Sequence, residues 1–223
     1  MIRAVKPASF AQEHLEAMFI AGQIGETLRD MYWPEATVIK PEEVIRILKK
    51  AKVRFVLMGT YGINGYRYQT RATQDVDVLV RAEDHEKAVA ALRAGFPRLK
   101  LEDFPVVSRF IDPKTKKPLI DVMRPNNESL QAAFKYSVPV GKSHLIPDLE
   151  MAIASKFAAM VSPNRMQSKK LIDGGDFADM VENNIAKIDL RKLRRLGEKV
   201  YKGGGQEIIQ LVDDIKAGRP LRF

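Results

Sequence analysis

The chain contains no cysteine. That absence excludes a disulfide framework, a thiolate zinc site, an iron–sulfur cluster and a cysteine nucleophile. Histidine is scarce: His14, His85 and His144 lie far apart and show no H-x-x-x-H spacing, so a zinc hydrolase built on imidazole ligands is not expected. No apolar run approaches the length of a membrane span. The start, Met1 to Lys6, is basic but leads into no apolar stretch or small-residue cleavage site. Secretion is therefore not expected, and a cytoplasmic chain with no membrane partner is. Internal repeats and low-complexity tracts are also missing.

What is present is ordinary globular material. The 223 residues are 45% hydrophobic and 29% charged, enough to bury a sizeable core without metal or disulfide staples. Lysine and arginine number 37 against 28 acidic residues, giving a net charge of +9 and a pI near 9.6. Such an excess favours anionic partners: nucleic acid, nucleotides or phosphorylated substrates.

Apolar spacing predicts an amphipathic helix over about 9–31, ended by Met31-Tyr32-Trp33-Pro34. Lys40-Pro41-Glu42-Glu43 starts a second helix, with proline in the first turn and acids beside it. Val53 to Met58 is a short, nearly continuous apolar run and reads as a buried strand stopping at Gly59. A Gly- and Tyr-rich segment follows, then a strand at Asp75–Val80 and a helix over 83–94. Val106–Ile111 and Pro118–Met123 read as strands around a polar turn, with short strands expected near 136–140 and 144–146. Beyond Asp148 the pattern is helical, at about 148–160, 167–183, 189–201 and 205–216. The expected organisation is an N-terminal helical segment (1–40), an α/β core (41–146) and a C-terminal helical region packed on it (147–223).

Chemistry concentrates in the core. Strand side chains alternate, so Asp75 and Asp77 point one way while Val76 and Val78 point the other. Neighbouring carboxylates repel unless a cation neutralises them. Asp121 stands between Ile120 and Val122 in a later strand; paired beside the first, it brings three carboxylates to one patch. Oxygen-only ligands suit a hard cation, and Mg²⁺ is the natural one for handling phosphate. The alternative is that Asp75 and Asp77 form the solvated face of an exposed strand, with Asp121 unrelated. Upstream, Gly59-Thr60 ends a buried strand with a close-approach backbone and a hydroxyl, suited to a triphosphate, and Arg71 and Thr73 precede the acidic pair.

Gly59-Thr60, Arg71-Ala72-Thr73-Gln74-Asp75-Val76-Asp77 and Ile120-Asp121-Val122, in that order, resemble the motifs of the nucleotidyltransferase superfamily, in particular its minimal and AbiEii-toxin-like branch. Leu149-Glu150 leading to Lys156, and Asp176-Phe177-Ala178-Asp179, resemble that family's later helices more weakly. The resemblance spans roughly 41–185 and implies an α/β fold of the α+β type: a nucleotidyltransferase-like mixed sheet with flanking helices and a C-terminal helical annex. It implies that Asp75 and Asp77 hold Mg²⁺ ions, two in all, bridging the phosphates of a nucleoside triphosphate. Asp121 would complete the second metal site and help deprotonate an acceptor hydroxyl. Gly59, Thr60, Arg71, Thr73 and Lys156 would bind nucleotide phosphates. Two positions depart from the pattern: Thr60 replaces a smaller Gly or Ser, and Gly175 stands where a lysine is common.

Other motifs fail. Gly141-Lys142-Ser143 resembles a P-loop end, but Tyr136 occupies the required glycine position. Gly59, Gly62 and Gly65 do not have dinucleotide-fingerprint spacing. Tyr61, Tyr66, Arg67 and Tyr68 are candidates for stacking on a base or for packing beneath the loop. The basic run Arg191–Lys199 reads equally as a nucleic-acid contact or as a solvated face over a leucine seam. Three functions follow. The first is a metal-dependent nucleotidyltransferase moving a nucleoside monophosphate to an RNA, protein or small-molecule acceptor. The second is a catalytically silent protein of that fold binding nucleotide or RNA. The third is a basic interaction protein, such as a toxin–antitoxin component.

Overall fold

The computed structural model describes residues 9–32, 35–37 and 39–222. The Met1–Lys6 start and the Trp33-Pro34 stop fall outside them. The chain opens with helix α1 (Phe10–Tyr32) and helix α2 (Pro41–Lys50). Strand β1 (Phe55–Leu57) leads into a one-turn helix α3 (Gly59–Ile63), a 3₁₀ turn over Asn64–Tyr66, and strand β2 (Val76–Val80). Helix α4 (His85–Gly95) precedes β3 (Lys100–Asp103), β4 (Val107–Ile111) and β5 (Pro118–Met123). Then come α5 (Glu128–Ala133), β6 (Ser137–Val140) and β7 (His144–Pro147). Four helices close the chain: α6 (Leu149–Val161), α7 (Gln167–Asn184), α8 (Leu190–Val200) and α9 (Gly204–Lys216).

The fold is mixed α/β, with seven strands in the order β3-β4-β5-β2-β1-β7-β6. The expected strands form where apolar runs demanded burial. Every residue of β1 is buried, as are Val76, Val78, Leu79 and Val80 of β2. Two strands at the centre matter most: β2 and β5 run parallel, with Asp77 opposite Asp121 and Val78 opposite Val122. β1 lies antiparallel on the other side of β2, and β4 antiparallel on the outer side of β5.

Two of the C-terminal helices, α6 and α8, start on side-chain caps. Asp148 accepts the Met151 N–H at 3.1 Å, and Asp189 accepts those of Arg191 and Lys192 at 2.9 and 3.0 Å, satisfying donors that a helix start leaves free. α6 is apolar around most of its girth; Met151, Ile153 and Phe157 are fully buried, each stabilising the fold by roughly 1.5–3 kcal/mol. The inner face of α7 changes character along its length. Phe177, Met180 and Val181 fill the core, whereas Asp173 and Asp176, one turn earlier on the same face, are buried among cations. In the Arg191–Lys199 run, Leu193 and Leu196 are buried beneath the basic face, as the leucine-seam reading requires.

Candidate active site

The strand register builds the site. Asp77 and Asp121 occupy partner positions on adjacent parallel strands, so their side chains leave the same face of the sheet. Asp75 lies just before β2 rather than within it, and the Thr73 hydroxyl donates to its Oδ1. All three carboxylates are only partly accessible. From the next strand, Arg109 stands opposite Asp121 and donates its Nε to Asp121 Oδ2 at 3.2 Å. The other oxygen, Oδ1, is buried with no hydrogen-bond partner.

Gly59 forms the roof over Asp77. Its φ is +58°, a left-handed conformation that side chains rarely adopt, and a Cβ there would collide with Asp77 Oδ2. The strand-ending glycine thus lets the backbone approach the carboxylate as no other residue would allow. Thr60, next in the chain, is buried, and its hydroxyl accepts Arg71 Nη2 at 2.6 Å.

The electrostatics are those of crowded, half-buried carboxylates. Burial, and then the charges of Asp75 and Asp121, push the Asp77 carboxyl well above the usual carboxylate range, against the pull of Lys156 and Arg165. Burial also raises Asp121, opposed by Arg109. Among the described residues no three His, Cys, Asp or Glu side chains surround one point as metal ligands. Thr73 holds Asp75, and Arg109 holds Asp121. The residues present nevertheless suit a hard divalent cation: the donors are all oxygen, and Asp121 Oδ1 is unsatisfied.

The expected phosphate-binding cations sit close by but are already paired. Lys156, buried on α6, bridges Asp173 at 2.9 Å and Asp176 at 2.8 Å. Arg71 donates Nε and Nη2 to Asp176 at 3.2 and 3.0 Å. Arg67 joins Asp176 at 2.6 Å and Asp179 at 2.8 Å, and Arg165 reaches Asp173 at 2.7 Å. Although burial pushes the Asp176 carboxyl up, the Lys156 charge and the Arg71 hydrogen bond hold it below its ordinary value. These ion pairs clamp α7 onto the core beside the carboxylates. Asp173, Arg109 and Arg165 are not among the residues that the sequence singles out, and Arg67, a stacking candidate there, is instead paired with Asp176 and Asp179. Arg109 carried the one available signal, a charge inside an otherwise apolar strand.

Of the tyrosines, Tyr61 and Tyr66 are buried, and the Tyr66 hydroxyl donates to the Pro147 carbonyl at 2.9 Å. Both pack beneath the loop. Tyr68, the third tyrosine of this segment, is exposed, at 80%.

Residues 42–127 match the model of the aminoglycoside-2''-adenylyltransferase family. The matched segment contains Gly59, Thr60, Arg71, Thr73 and all three aspartates, and it is this family, rather than the AbiEii-like branch, that the comparison returns. No curated protein sequence matches the chain. Among solved structures, an antigenic nucleotidyltransferase-like protein from Paracoccidioides brasiliensis is similar at 11% identity, over 83% of this chain and 97% of that one, with a TM-score of 0.46. The antibiotic-resistance factor ANT(2'')-Ia is similar at 12% identity, over 79% and 95%, with a TM-score of 0.47. JHP933 from Helicobacter pylori is similar at 14% identity, over 88% and 81%, with a TM-score of 0.47. At these values the structural likenesses carry no weight of their own, and the assignment stands on the matched segment and the motifs inside it. On those grounds the segment 42–127 is similar to the nucleotidyltransferases of that family.

Proposed function

We propose that the protein transfers a nucleoside monophosphate from a nucleoside triphosphate to a hydroxyl of an RNA, protein or small-molecule acceptor, with Mg²⁺ held by Asp75, Asp77 and Asp121. The observation that carries this reading is the register pairing of Asp77 with Asp121 beneath Gly59: two carboxylates on one face, crowded by a third, with their own charges working against ionisation. A divalent cation would relieve that repulsion and, when bound, would withdraw charge from the phosphates and the leaving pyrophosphate.

The chain's own groups supply the rest. Asp121, with its unsatisfied oxygen, is the carboxylate to take the proton of an attacking hydroxyl. The acceptor's hydroxyl oxygen bonds to the α-phosphorus as the bond to pyrophosphate breaks. Arg109 keeps Asp121 oriented from the adjoining strand. The Thr60 hydroxyl and Arg71 lie where the polyphosphate tail would be gripped, and Lys156 and Arg165 add positive charge to the Asp77 side. The family matched over 42–127 is named for adenylyl transfer to the 2'' position of aminoglycosides, which makes aminoglycosides the first acceptors to test.

The test is incubation of the protein with Mg²⁺ and each α-labelled nucleoside triphosphate, against an acceptor panel of aminoglycosides, total tRNA and cell extract. Label should pass to one acceptor class from wild type and not from Asp121→Asn. Wild-type protein that binds nucleotide but labels nothing would instead support the silent-binder reading.

A further inference from the structure

On the Asp75 side of the site lies a cavity of about 290 Å³, walled by α1 and by the loop leading into β2. Its volume suits a single flat ring system with part of a sugar rather than a large acceptor. Its lining includes Phe19, Gly22 and Gln23 from α1, and Tyr61, Thr73 and Gln74 from the core. Thr73 ties the cavity to the catalytic face, because its hydroxyl donates to Asp75. Tyr61 reports the same closeness: burial first, then the charges of Glu42 and Asp75, push its phenol up to about 12.

Two glycines three residues apart in the middle of a 23-residue helix are unfavourable for that helix, each by about 1 kcal/mol relative to alanine. Gly25 has a packing reason, since a Cβ there would stand 3.0 Å from the Thr73 carbonyl oxygen. Gly22 has none. It lines the cavity, and a Cβ there would meet nothing within 4 Å. At the rim, Phe19 leaves 58% of its surface exposed, an aromatic face without a protein partner on that side. The side-chain amides of Gln23 and Gln74 can each donate and accept hydrogen bonds. Two acids line the cavity, Glu26, which is paired with Lys40 at 2.8 Å, and Glu42, together with the cation Arg29.

We propose that this cavity holds the nucleobase of the donor nucleotide, stacked at Phe19 and hydrogen-bonded at its edge by Gln23 and Gln74. The assignment rests on the donor-nucleotide reading above. It adds that Phe19 and Gln23 of α1, which lies before the segment matched by the family model, join Gln74 in recognising the base, so nucleotide choice is set in part by this chain's own N-terminal helix. An aromatic face with amides at the edge is the chemistry that recognises a base, and phosphates at Asp75 would place a nucleoside directly before the opening.

Gly22→Leu separates binding from folding. Leucine is a far better helix former than glycine and has open space at this position, so the variant should melt at or above the wild-type temperature. Affinities for each of the four nucleoside triphosphates and for inorganic tripolyphosphate, all with Mg²⁺, are measured by calorimetry. Wild type should bind at least one nucleotide at least tenfold tighter than tripolyphosphate. Gly22→Leu and Phe19→Ala should each remove most of that advantage while leaving tripolyphosphate affinity within about twofold. An advantage that survives in Gly22→Leu, or a wild type that binds nucleotide and tripolyphosphate equally, would overturn the base assignment and leave the phosphate site standing. Wild type that binds neither would overturn both readings.

Discussion

Arg71 holds Asp176 through two nitrogens, Nε at 3.2 Å and Nη2 at 3.0 Å, and with the same Nη2 reaches the Thr60 hydroxyl at 2.6 Å. One side chain therefore joins the candidate phosphate loop to α7. Asp176 is 1% exposed and takes Lys156 and Arg67 as well. Removing one member of a buried ionic network leaves its partners desolvated and unpaired, at a typical cost of about 3–5 kcal/mol. Asp176→Asn should therefore destabilise the protein by an amount in that range, read as a lower urea midpoint with an unchanged slope. Arg71→Lys should not restore wild-type stability, because an ammonium cannot reproduce the two-nitrogen grip.

The approach of Gly59 to Asp77 makes a coupled prediction. Gly59→Ala has two costs, the left-handed φ at about 1–2 kcal/mol and the collision with Asp77 Oδ2. In an Asp77→Ala background only the backbone cost remains. The two substitutions should therefore be non-additive, with Gly59→Ala destabilising clearly less when Asp77 is absent. Thermal denaturation of the four proteins of this cycle measures the difference.

A third prediction concerns pH. His14 and His144 are buried with ring centroids 6.2 Å apart, and the Nε2 atom of each lacks a hydrogen-bond partner. Burial lowers both to about 4; the backbone of Tyr61 opposes this at His14, and the His14 and Lys49 charges add to it at His144. Between about pH 4 and 6.5 the unfolded chain binds more protons than the folded one, so stability rises with pH across that window. It is fully present above it and lost as the pH falls through it. The contribution is up to about 3 kcal/mol per imidazole. Unfolding midpoints from pH 7 to pH 4 should fall steeply, and His144→Phe should flatten the dependence.

Much of the architecture was legible before any coordinates. The helix start at Pro41, the buried β1, and the strands carrying Asp77 and Asp121 appear close to where apolar spacing put them, because burial of those faces leaves little choice of element. Strand β3 was missed: Lys100–Asp103 is polar and only half covered, so no apolar alternation marks it. The turn of helix at Gly59–Ile63 was missed as well, since it contains two glycines and forms only because Tyr61 and Ile63 are buried against the core. Within the site, local spacing put Asp75 and Asp77 side by side. The partnering of Asp121 with Arg109, and of Lys156 with Asp173 and Asp176, depends on strand order and helix packing, which no single segment encodes.

The central claim is that Asp77 belongs to a site shaped for a cation carrying a nucleotide, and melting of wild type against Asp77→Asn tests it most directly. Without ligand, Asp77→Asn should melt higher than wild type at pH 7, because it removes a carboxylate whose ionisation is opposed by burial and by two neighbouring charges. With Mg²⁺ and the preferred nucleoside triphosphate, wild type should be stabilised in a concentration-dependent way, as any ligand of the folded state stabilises it. Asp77→Asn should lose most of that shift. A higher-melting apo variant that no longer responds to nucleotide is the predicted result, and an undiminished nucleotide shift in Asp77→Asn would contradict the account.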